Sequence, residues 1–393
     1  AAWAEDEGLT TGVSKGVFGG ERSMTRQELA KVFADYAALN RILPAESADL
    51  RAYSDADAVA TWAKDGVEDA VALGILSGSK GKLNPTGTAQ RAELAQILKS
   101  FDALEPTYTE TVVSIPVKAQ DGIPAHDIPA TVTMPTAASK DAKVPGVVML
   151  HGTGSNREEA GNGYAMAAPV MATQGIATIR IDFMGNGESK ADYVNYNNTS
   201  AVIDAKAAAD YLAGLETVDA ANLGVMGWSQ GGTDALLAAE AHPDTFQAVV
   251  TWSGALSLGD GIFGGEEGAF DAAYETAKKD GYYEQTFDWR EPLHFGERWF
   301  KEVAETDMNK VVAGVKAPIL AINGKNDTTV TPDNAEKIVE ASANDASQVL
   351  LVDNCDHTYN VFSGDFTALF QTVDATIAFF QAQLIPAAAD AAA

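Results

Sequence analysis

Ser229 stands inside Gly227-Trp228-Ser229-Gln230-Gly231, and its flanks decide what that spacing is worth. A bare G-x-S-x-G is a weak signal in a chain with 35 glycines. Here Asn222-Leu-Gly-Val-Met226 reads as a short buried strand before it, and the small, alanine-rich run Thr233–Ala241 reads as a helix after it. Between strand and helix, the glycines remove Cβ atoms where a turn is tightest. A serine held there in strained backbone presents its hydroxyl at the edge of a sheet. That hydroxyl is almost wholly un-ionised near neutral pH. To attack a carbonyl carbon it needs a general base, and the base needs a partner that fixes its tautomer and stabilises the imidazolium.

Asp327 and His357 suit those two roles. Pro318-Ile-Leu-Ala-Ile322 is a compact apolar strand, and the turn Asn323-Gly-Lys-Asn-Asp327 sets the aspartate beyond its C-terminal end. Val349-Leu-Leu-Val352 is another such strand, followed by Asp353-Asn-Cys-Asp-His357. In an open α/β sheet the C-terminal strand ends gather on one rim, where ligands bind. An aspartate in a polar turn is usually only solvated, so Asp327 gains weight as part of a set. Of the five histidines, His126 lies in an early hairpin, His242 caps a helix before Pro243 and His294 falls in a long insertion. Asp356 is a weaker candidate acid, because adjacent residues rarely orient each other's side chains, and Asp353 is a second reserve.

Negative charge developing on the carbonyl oxygen also needs donors, usually two backbone N–H groups, one from the residue after the nucleophile. That residue is Gln230. The second donor is expected from the loop after the strand Val144–Leu150, which continues into His151-Gly152-Thr153-Gly154. Gly152 lets the main chain bend so that the Thr153 N–H turns inward, and His151 is read as a brace for this loop.

Residues about 108–385 resemble the α/β hydrolases, and most of all their bacterial cinnamoyl (feruloyl) esterase group. The resemblance is carried by His151-Gly-Thr-Gly-Ser-Asn-Arg-Glu158, Asp182-Phe-Met-Gly-Asn-Gly-Glu-Ser189, Gly227-Trp-Ser-Gln-Gly-Gly232 and the chain order Ser, Asp, His. It implies a mostly parallel sheet, with Ser229, Asp327 and His357 catalytic and Thr153 and Gln230 forming the oxyanion site. It also implies hydroxycinnamate esters as substrates, with no metal or organic cofactor. Two residues depart from the group's pattern. Thr153 replaces an aromatic or apolar residue, and Trp228 replaces a histidine.

The expected strands are Val147–Leu150, Ile176–Ile181, Asn222–Met226, Ala248–Trp252, Pro318–Ile322 and Val349–Val352, with Thr111–Lys118 and Ala130–Met134 as an antiparallel pair at the sheet's start. The stretch from about 254 to 316 is longer than an ordinary strand–helix connection and rich in aromatics. Most of these are read as the insertion's own small core. The resemblance implies that the insertion lies over the serine as a lid. Phe263, Tyr282, Tyr283, Trp289 and Trp299 are then the candidates to stack on a flat phenolic acyl group.

The first hundred residues contain an internal repeat. Gly8-Leu-Thr-Thr-Gly12 corresponds to Gly74-Ile-Leu-Ser-Gly78, Ser14-Lys-Gly16 to Ser79-Lys-Gly81, and Arg26-Gln-Glu-Leu-Ala30 to Arg91-Ala-Glu-Leu-Ala95. Each copy ends in an amphipathic helix, with Leu29, Val32 and Phe33 apolar in one and Leu94, Ile97, Leu98 and Phe101 in the other. Thr25 is available as an N-cap for the first. Tyr53-Ser-Asp-Ala-Asp57, Thr61-Trp-Ala63 and Thr25-Arg-Gln-Glu28 resemble S-layer homology (SLH) modules, one partial and one complete, so the chain is expected to begin inside a longer precursor. That resemblance implies attachment to an anionic polymer of the bacterial cell wall. Arg26 and Arg91 are candidate donors to its carboxylates and Trp62 a stacking surface for its sugars. Internal pairing of both arginines is the competing reading.

Composition agrees with two domains outside the cytoplasm, at 1–101 and 108–385, with a linker at 102–107 and a frayed tail at 386–393. Net charge is −28, and residues 1–101 carry 14 acids and 11 bases, so about −25 falls on the remainder. Such a field argues against nucleic acid or anionic membranes as partners and favours uncharged substrates. No apolar run is long enough for a membrane span. The one cysteine, Cys355, excludes an internal disulfide and a cysteine-based metal cluster. The reading is a cell-surface serine esterase. Its rivals are a general short-chain or acetyl esterase, a peptidase-like hydrolase on the same fold, and a non-catalytic envelope protein with a degenerate hydrolase domain.

Overall fold

Apolar runs that alternate with amphipathic segments dictate a sheet covered on both faces, and that is what residues from Tyr108 onward build. The structure is a computed structural model that describes residues 9, 20–39, 42, 44, 47–104, 107–256 and 268–385. Phe263, the repeat segment Gly8–Gly16 apart from Leu9, and the tail 386–393 lie outside the described residues. The chain divides into two compact units, Ala1–Thr107 and Tyr108–Ala393.

In the second unit eight strands form one sheet in the order β1-β2-β4-β3-β5-β6-β9-β10. Their ranges are β1 Tyr108–Val117, β2 His126–Pro135, β3 Val144–Leu150, β4 Ala177–Ile181, β5 Val218–Trp228, β6 Phe246–Trp252, β9 Ile319–Gly324 and β10 Gln348–Val352. β1 pairs antiparallel with β2, and β2 with β4, while every later pairing is parallel. All eight expected strands are present. β5 is longer than expected because pairing with β3 begins at Val218.

Alternate side chains feed opposite layers. Val148 and Leu150 of β3 join the cluster that packs helices Asn198–Ala213, Gln230–Ala241 and Asp333–Ala341. Val147 and Met149 join the cluster under helices Gly163–Thr173 and Thr367–Leu384. That second layer centres on Trp228, Trp252, Tyr164 and Tyr359, whose rings meet at centroid distances of 5.2 to 5.8 Å. Edge-on contacts of this kind add roughly 0.5–1.5 kcal/mol each beyond simple burial.

The insertion after β6 holds helix Ala269–Asp280, the antiparallel hairpin β7 Tyr282–Phe287 and β8 Arg290–Gly296, and helices Glu297–Glu305 and Met308–Gly314. The hairpin was not anticipated. Tyr-Tyr-Glu-Gln-Thr-Phe alternates only weakly, and its strand character comes from pairing with β8 through Tyr283 opposite Phe295.

The first unit contains helices Arg26–Leu39, Lys64–Ala72 and Arg91–Asp102. The first begins in a reciprocal cap. Glu28 accepts the Thr25 N–H at 2.7 Å and the Thr25 hydroxyl at 2.9 Å. Leu29, Ala30, Leu50, Val67, Ile75, Leu83 and Ile97 make the core. In the third helix, Phe101 packs on Phe33 and Tyr36 at 5.5 and 5.4 Å. Leu94 and Leu98 are exposed at 38% and 48%. They were expected to be buried, but only one edge of that helix's apolar stripe meets the rest of the unit.

Candidate active site

β5 ends at Trp228 and helix Gln230–Ala241 begins two residues later, so Ser229 alone makes the turn, at φ 54° and ψ −122°. A Cβ on Gly227 would overlap the Gly231 carbonyl, and one on Gly231 the Leu150 carbonyl. Both positions therefore require glycine, and the strained serine between them is held by its neighbours.

The three candidate catalytic residues converge. His357 Nε2 lies 3.1 Å from Ser229 Oγ, and His357 Nδ1 lies 2.8 Å from Asp327 Oδ2. Asp327 is buried at 3% exposure. Its Oδ1 accepts the N–H groups of Thr329 and Val330, both at 2.9 Å, and its Oδ2 also accepts from Asn323 at 3.2 Å. A carboxylate so satisfied is fixed in place. It keeps the His357 proton on Nδ1 and leaves Nε2 to accept from the serine.

The reserve acids are engaged elsewhere. Asp356 accepts from the N–H and hydroxyl of Thr358 and from the Asn360 N–H. Burial raises its carboxyl, but these hydrogen bonds outweigh that and leave it below its ordinary range. Asp353 pairs with Lys325 at 2.6 Å.

Thr153 and Gln230 flank the serine. Gly152 packs so closely that a Cβ there would stand 3.1 Å from Ser229 Cβ. At the elbow the Ser229 N–H donates to Trp252 and the Gly232 N–H to Ser229, while the Gln230 N–H, first in its helix, has no backbone acceptor among the described residues. His151 is buried, lies 2.7 Å through Nδ1 from the Gly152 carbonyl and accepts the Phe183 N–H at 3.1 Å. Burial pushes this imidazole down to about 4, so it is neutral and braces the loop.

Sequence reasoning missed four side chains around this loop. Glu159 is buried and accepts the Gly152 N–H at 2.9 Å. Tyr196 and Asp234 are buried behind Gln230. Arg290 of the hairpin donates to the Gly154 carbonyl and to Asn186 Oδ1 at 3.3 Å. Nothing local marks these residues, since their partners are distant in sequence.

The lid candidates need correction. Trp299 is fully buried against Phe295 at 4.7 Å and Phe300 at 5.1 Å, in the same core cluster as one face of the sheet, so it is not part of a substrate surface. Tyr283 meets Phe300 edge-on in that core. Tyr282 lies against His294 at 4.3 Å on an exposed face, and Trp289, 64% exposed, sits at the hairpin turn.

Arg26 is corrected too. It is 7% exposed, and its guanidinium donates to the Leu83 and Ser77 carbonyls and to Glu93. The group is spent in joining the two repeat copies and is not presented outward. Arg91 and Trp62 remain exposed.

A parallel sheet with a strained serine at a strand–helix elbow, facing histidine and aspartate from later strand ends, defines the α/β-hydrolase fold. Residues 163–385, more than half of the chain, match the prolyl oligopeptidase family, and the chain belongs to it. Residues 1–30 and 52–95 match the S-layer homology domain. The chain is similar to the surface-layer 125 kDa protein of Lysinibacillus sphaericus, 34% identical over 96 residues, covering 23% of this chain and 8% of that protein. A second stretch is similar to 2,6-dihydropseudooxynicotine hydrolase of Paenarthrobacter nicotinovorans, 32% identical over 174 residues, covering 43% of this chain and 40% of that protein. The chain thus spans less than half the length of either relative. Among solved structures, Est1E from Butyrivibrio proteoclasticus with ferulic acid bound is similar in fold, with a TM-score of 0.52 and 19% identity, covering 69% of this chain and 98% of that one.

Proposed function

We propose that this chain is a cell-surface serine hydrolase that cleaves carboxylic esters, with hydroxycinnamate esters as its substrates. The alignment of Ser229 Oγ, His357 and Asp327 carries the reading. Ser229 Oγ attacks the ester carbonyl while its proton passes to His357 Nε2. The Thr153 and Gln230 N–H groups receive the oxyanion, and Asp327 stabilises the imidazolium. The C–O bond to the alcohol then breaks, and the alcohol leaves with the proton from His357. Water enters, gives its proton to His357, and attacks the acyl-enzyme. Collapse of that intermediate returns the proton to Ser229 and releases the acid.

The hydroxycinnamate class is supported by the three motif resemblances, by the fold shared with a ferulic acid-bound protein, and by an acidic surface that disfavours anionic substrates. The S-layer homology modules support attachment to a cell-wall polymer, with Arg91 and Trp62 as the exposed contacts. Membership of the prolyl oligopeptidase family favours a second reading, cleavage of an aminoacyl bond by the same serine.

Rates on methyl ferulate, methyl caffeate, p-nitrophenyl acetate and aminoacyl anilides discriminate these readings. Turnover of the hydroxycinnamates, lost in Ser229→Ala, is expected. Turnover of acetate or anilides without them rejects the substrate class. Absence of fluorophosphonate labelling at Ser229 rejects the enzyme altogether.

A further inference from the structure

Thr153 and Gln230 lie on separate segments, the loop after β3 and the first turn of the helix after the elbow, yet their side chains are joined. The Thr153 hydroxyl donates to Gln230 Oε1 at 2.5 Å. The Gln230 amide donates through Nε2 to Tyr196 Oη at 3.0 Å, and Tyr196 donates its proton to Asp234 Oδ2 at 2.6 Å. Every donor in this chain points the same way, toward a carboxylate. While Asp234 is ionised and accepts the Tyr196 proton, only one orientation of the Gln230 amide satisfies both of its neighbours.

The chain is sealed from competing water. Gln230, Tyr196 and Asp234 are 2%, 3% and 0% exposed. The Tyr196 ring stacks on Tyr193 at 5.3 Å and packs against Phe183 at 5.4 Å, so its hydroxyl has little freedom to turn away. Asp234 Oδ1 has no hydrogen-bond partner among the described residues. Burying a carboxylate with one oxygen unsatisfied costs stability that a packed apolar residue would not. What the carboxylate supplies is direction, because it fixes the Tyr196 proton and, through it, the Gln230 amide.

We propose that Tyr196 and Asp234 are positioning residues for the oxyanion site. Through the side chains of Gln230 and Thr153 they clamp together the two segments whose backbone N–H groups receive the developing charge. The inference rests on the reading of Ser229 as the nucleophile. Backbone donors lower a barrier only when they are fixed before the charge appears, since reorganisation would consume the gain. Thr153 sits between Gly152 and Gly154, the latter at φ 67°, in a loop with wide conformational latitude. Its hydroxyl bond to Gln230 removes that latitude. This gives a physical role to threonine where the resembled esterases carry an aromatic or apolar residue, which cannot donate.

The test is steady-state kinetics on p-nitrophenyl acetate for the full chain and for Thr153→Val, Thr153→Ser, Tyr196→Phe, Asp234→Asn and the double variant Thr153→Val/Tyr196→Phe. Deleting an oxyanion donor outright costs roughly 100- to 1,000-fold in kcat, so loosening one is expected to cost about 10- to 100-fold. KM is expected to stay within about threefold, Thr153→Ser to restore most of the rate, and the double variant to be no worse than the poorer single, since the residues act as a unit. Wild-type kcat in Thr153→Val and Tyr196→Phe, or losses that simply multiply, would overturn the proposal. If Asp234→Asn fails to fold, the two milder variants still decide. Fluorophosphonate labelling of wild-type Ser229 runs alongside. An unlabelled protein removes the nucleophile and this inference with it, whereas a labelled protein with unaffected variants removes this inference alone.

Discussion

The indole N–H of Trp228 donates to the main-chain carbonyl of His357 at 3.0 Å, so the residue before the nucleophile holds the segment that carries the base. The same indole packs against Tyr359, Trp252 and Tyr164. Trp228→Phe keeps an aromatic ring but removes the donor and leaves space. Stability is expected to fall by about 1–3 kcal/mol. kcat is expected to fall further than the folded fraction accounts for, because the imidazole loses a fixed approach to Ser229. Urea unfolding beside kcat on a simple ester checks this, and full activity per folded molecule would show that the bond does not position the histidine.

Ser229 occupies backbone that side-chain-bearing residues rarely adopt, at φ 54°. Such a conformation costs roughly 1–3 kcal/mol and persists because the glycines and strand ends around it leave no alternative. Ser229→Gly relieves the strain but adds freedom to the unfolded chain, worth about 0.5–1 kcal/mol in the other direction. The variant is expected to be inactive and to melt above the wild type. Calorimetry decides: an unchanged or lower melting temperature would mean that the elbow stores no recoverable strain.

These relationships mark where sequence reading ends. Ser229, Asp327 and His357 were legible because each follows an apolar strand, and a parallel sheet must bring such ends to one rim. The central strands β3, β4, β6 and β9 were legible for the same reason, as runs buried on both faces, whereas β1 is largely exposed. Glu159, Tyr196, Asp234 and Arg290 were not, because a buried polar residue announces itself only through partners the fold supplies. Trp299 misled in the opposite sense: an aromatic in an insertion has the same spelling whether it lines a site or fills a core. Arg26 and Arg91 are equivalent in the repeat, yet only the fold shows that Arg26 is internal.

Buried carboxyls give this protein a pH dependence of stability with a definite sign. Burial pushes Glu159 up to about 8, outweighing its hydrogen bond from Gly152, and pushes Asp234 up to about 7, with Asp204 adding to the rise. Between the ordinary carboxyl range and those values the folded state keeps protons that the unfolded state has released, so stability falls as pH rises. His151, pushed down to about 4, acts oppositely, but only below its ordinary value of 6.5. Above that only the falling contributions remain. The melting temperature is expected to drop between pH 6.5 and about 8, and Glu159→Gln to flatten the drop. A wild-type curve that is flat or rises over this window would refute the assignment.

The two arginines of the repeat are expected to separate stability from binding. Arg26→Ala strands the Leu83 and Ser77 carbonyls and removes a 2.7 Å partner of Glu93. Losing a charged donor to buried acceptors costs about 2–4 kcal/mol. The loss should appear as faster hydrogen exchange across helices Arg26–Leu39 and Arg91–Asp102, because the guanidinium ties one to the other. Arg91→Ala touches an exposed side chain and should change stability by less than about 0.5 kcal/mol. If Arg91 and the exposed Trp62 form the polymer-facing surface, Arg91→Ala and Trp62→Ala should both weaken co-sedimentation of the full chain with purified cell-wall sacculi while exchange rates stay at wild-type values. Wild-type sedimentation in both variants would rule that surface out, and wild-type exchange in Arg26→Ala would show that the arginine does not hold the two copies together.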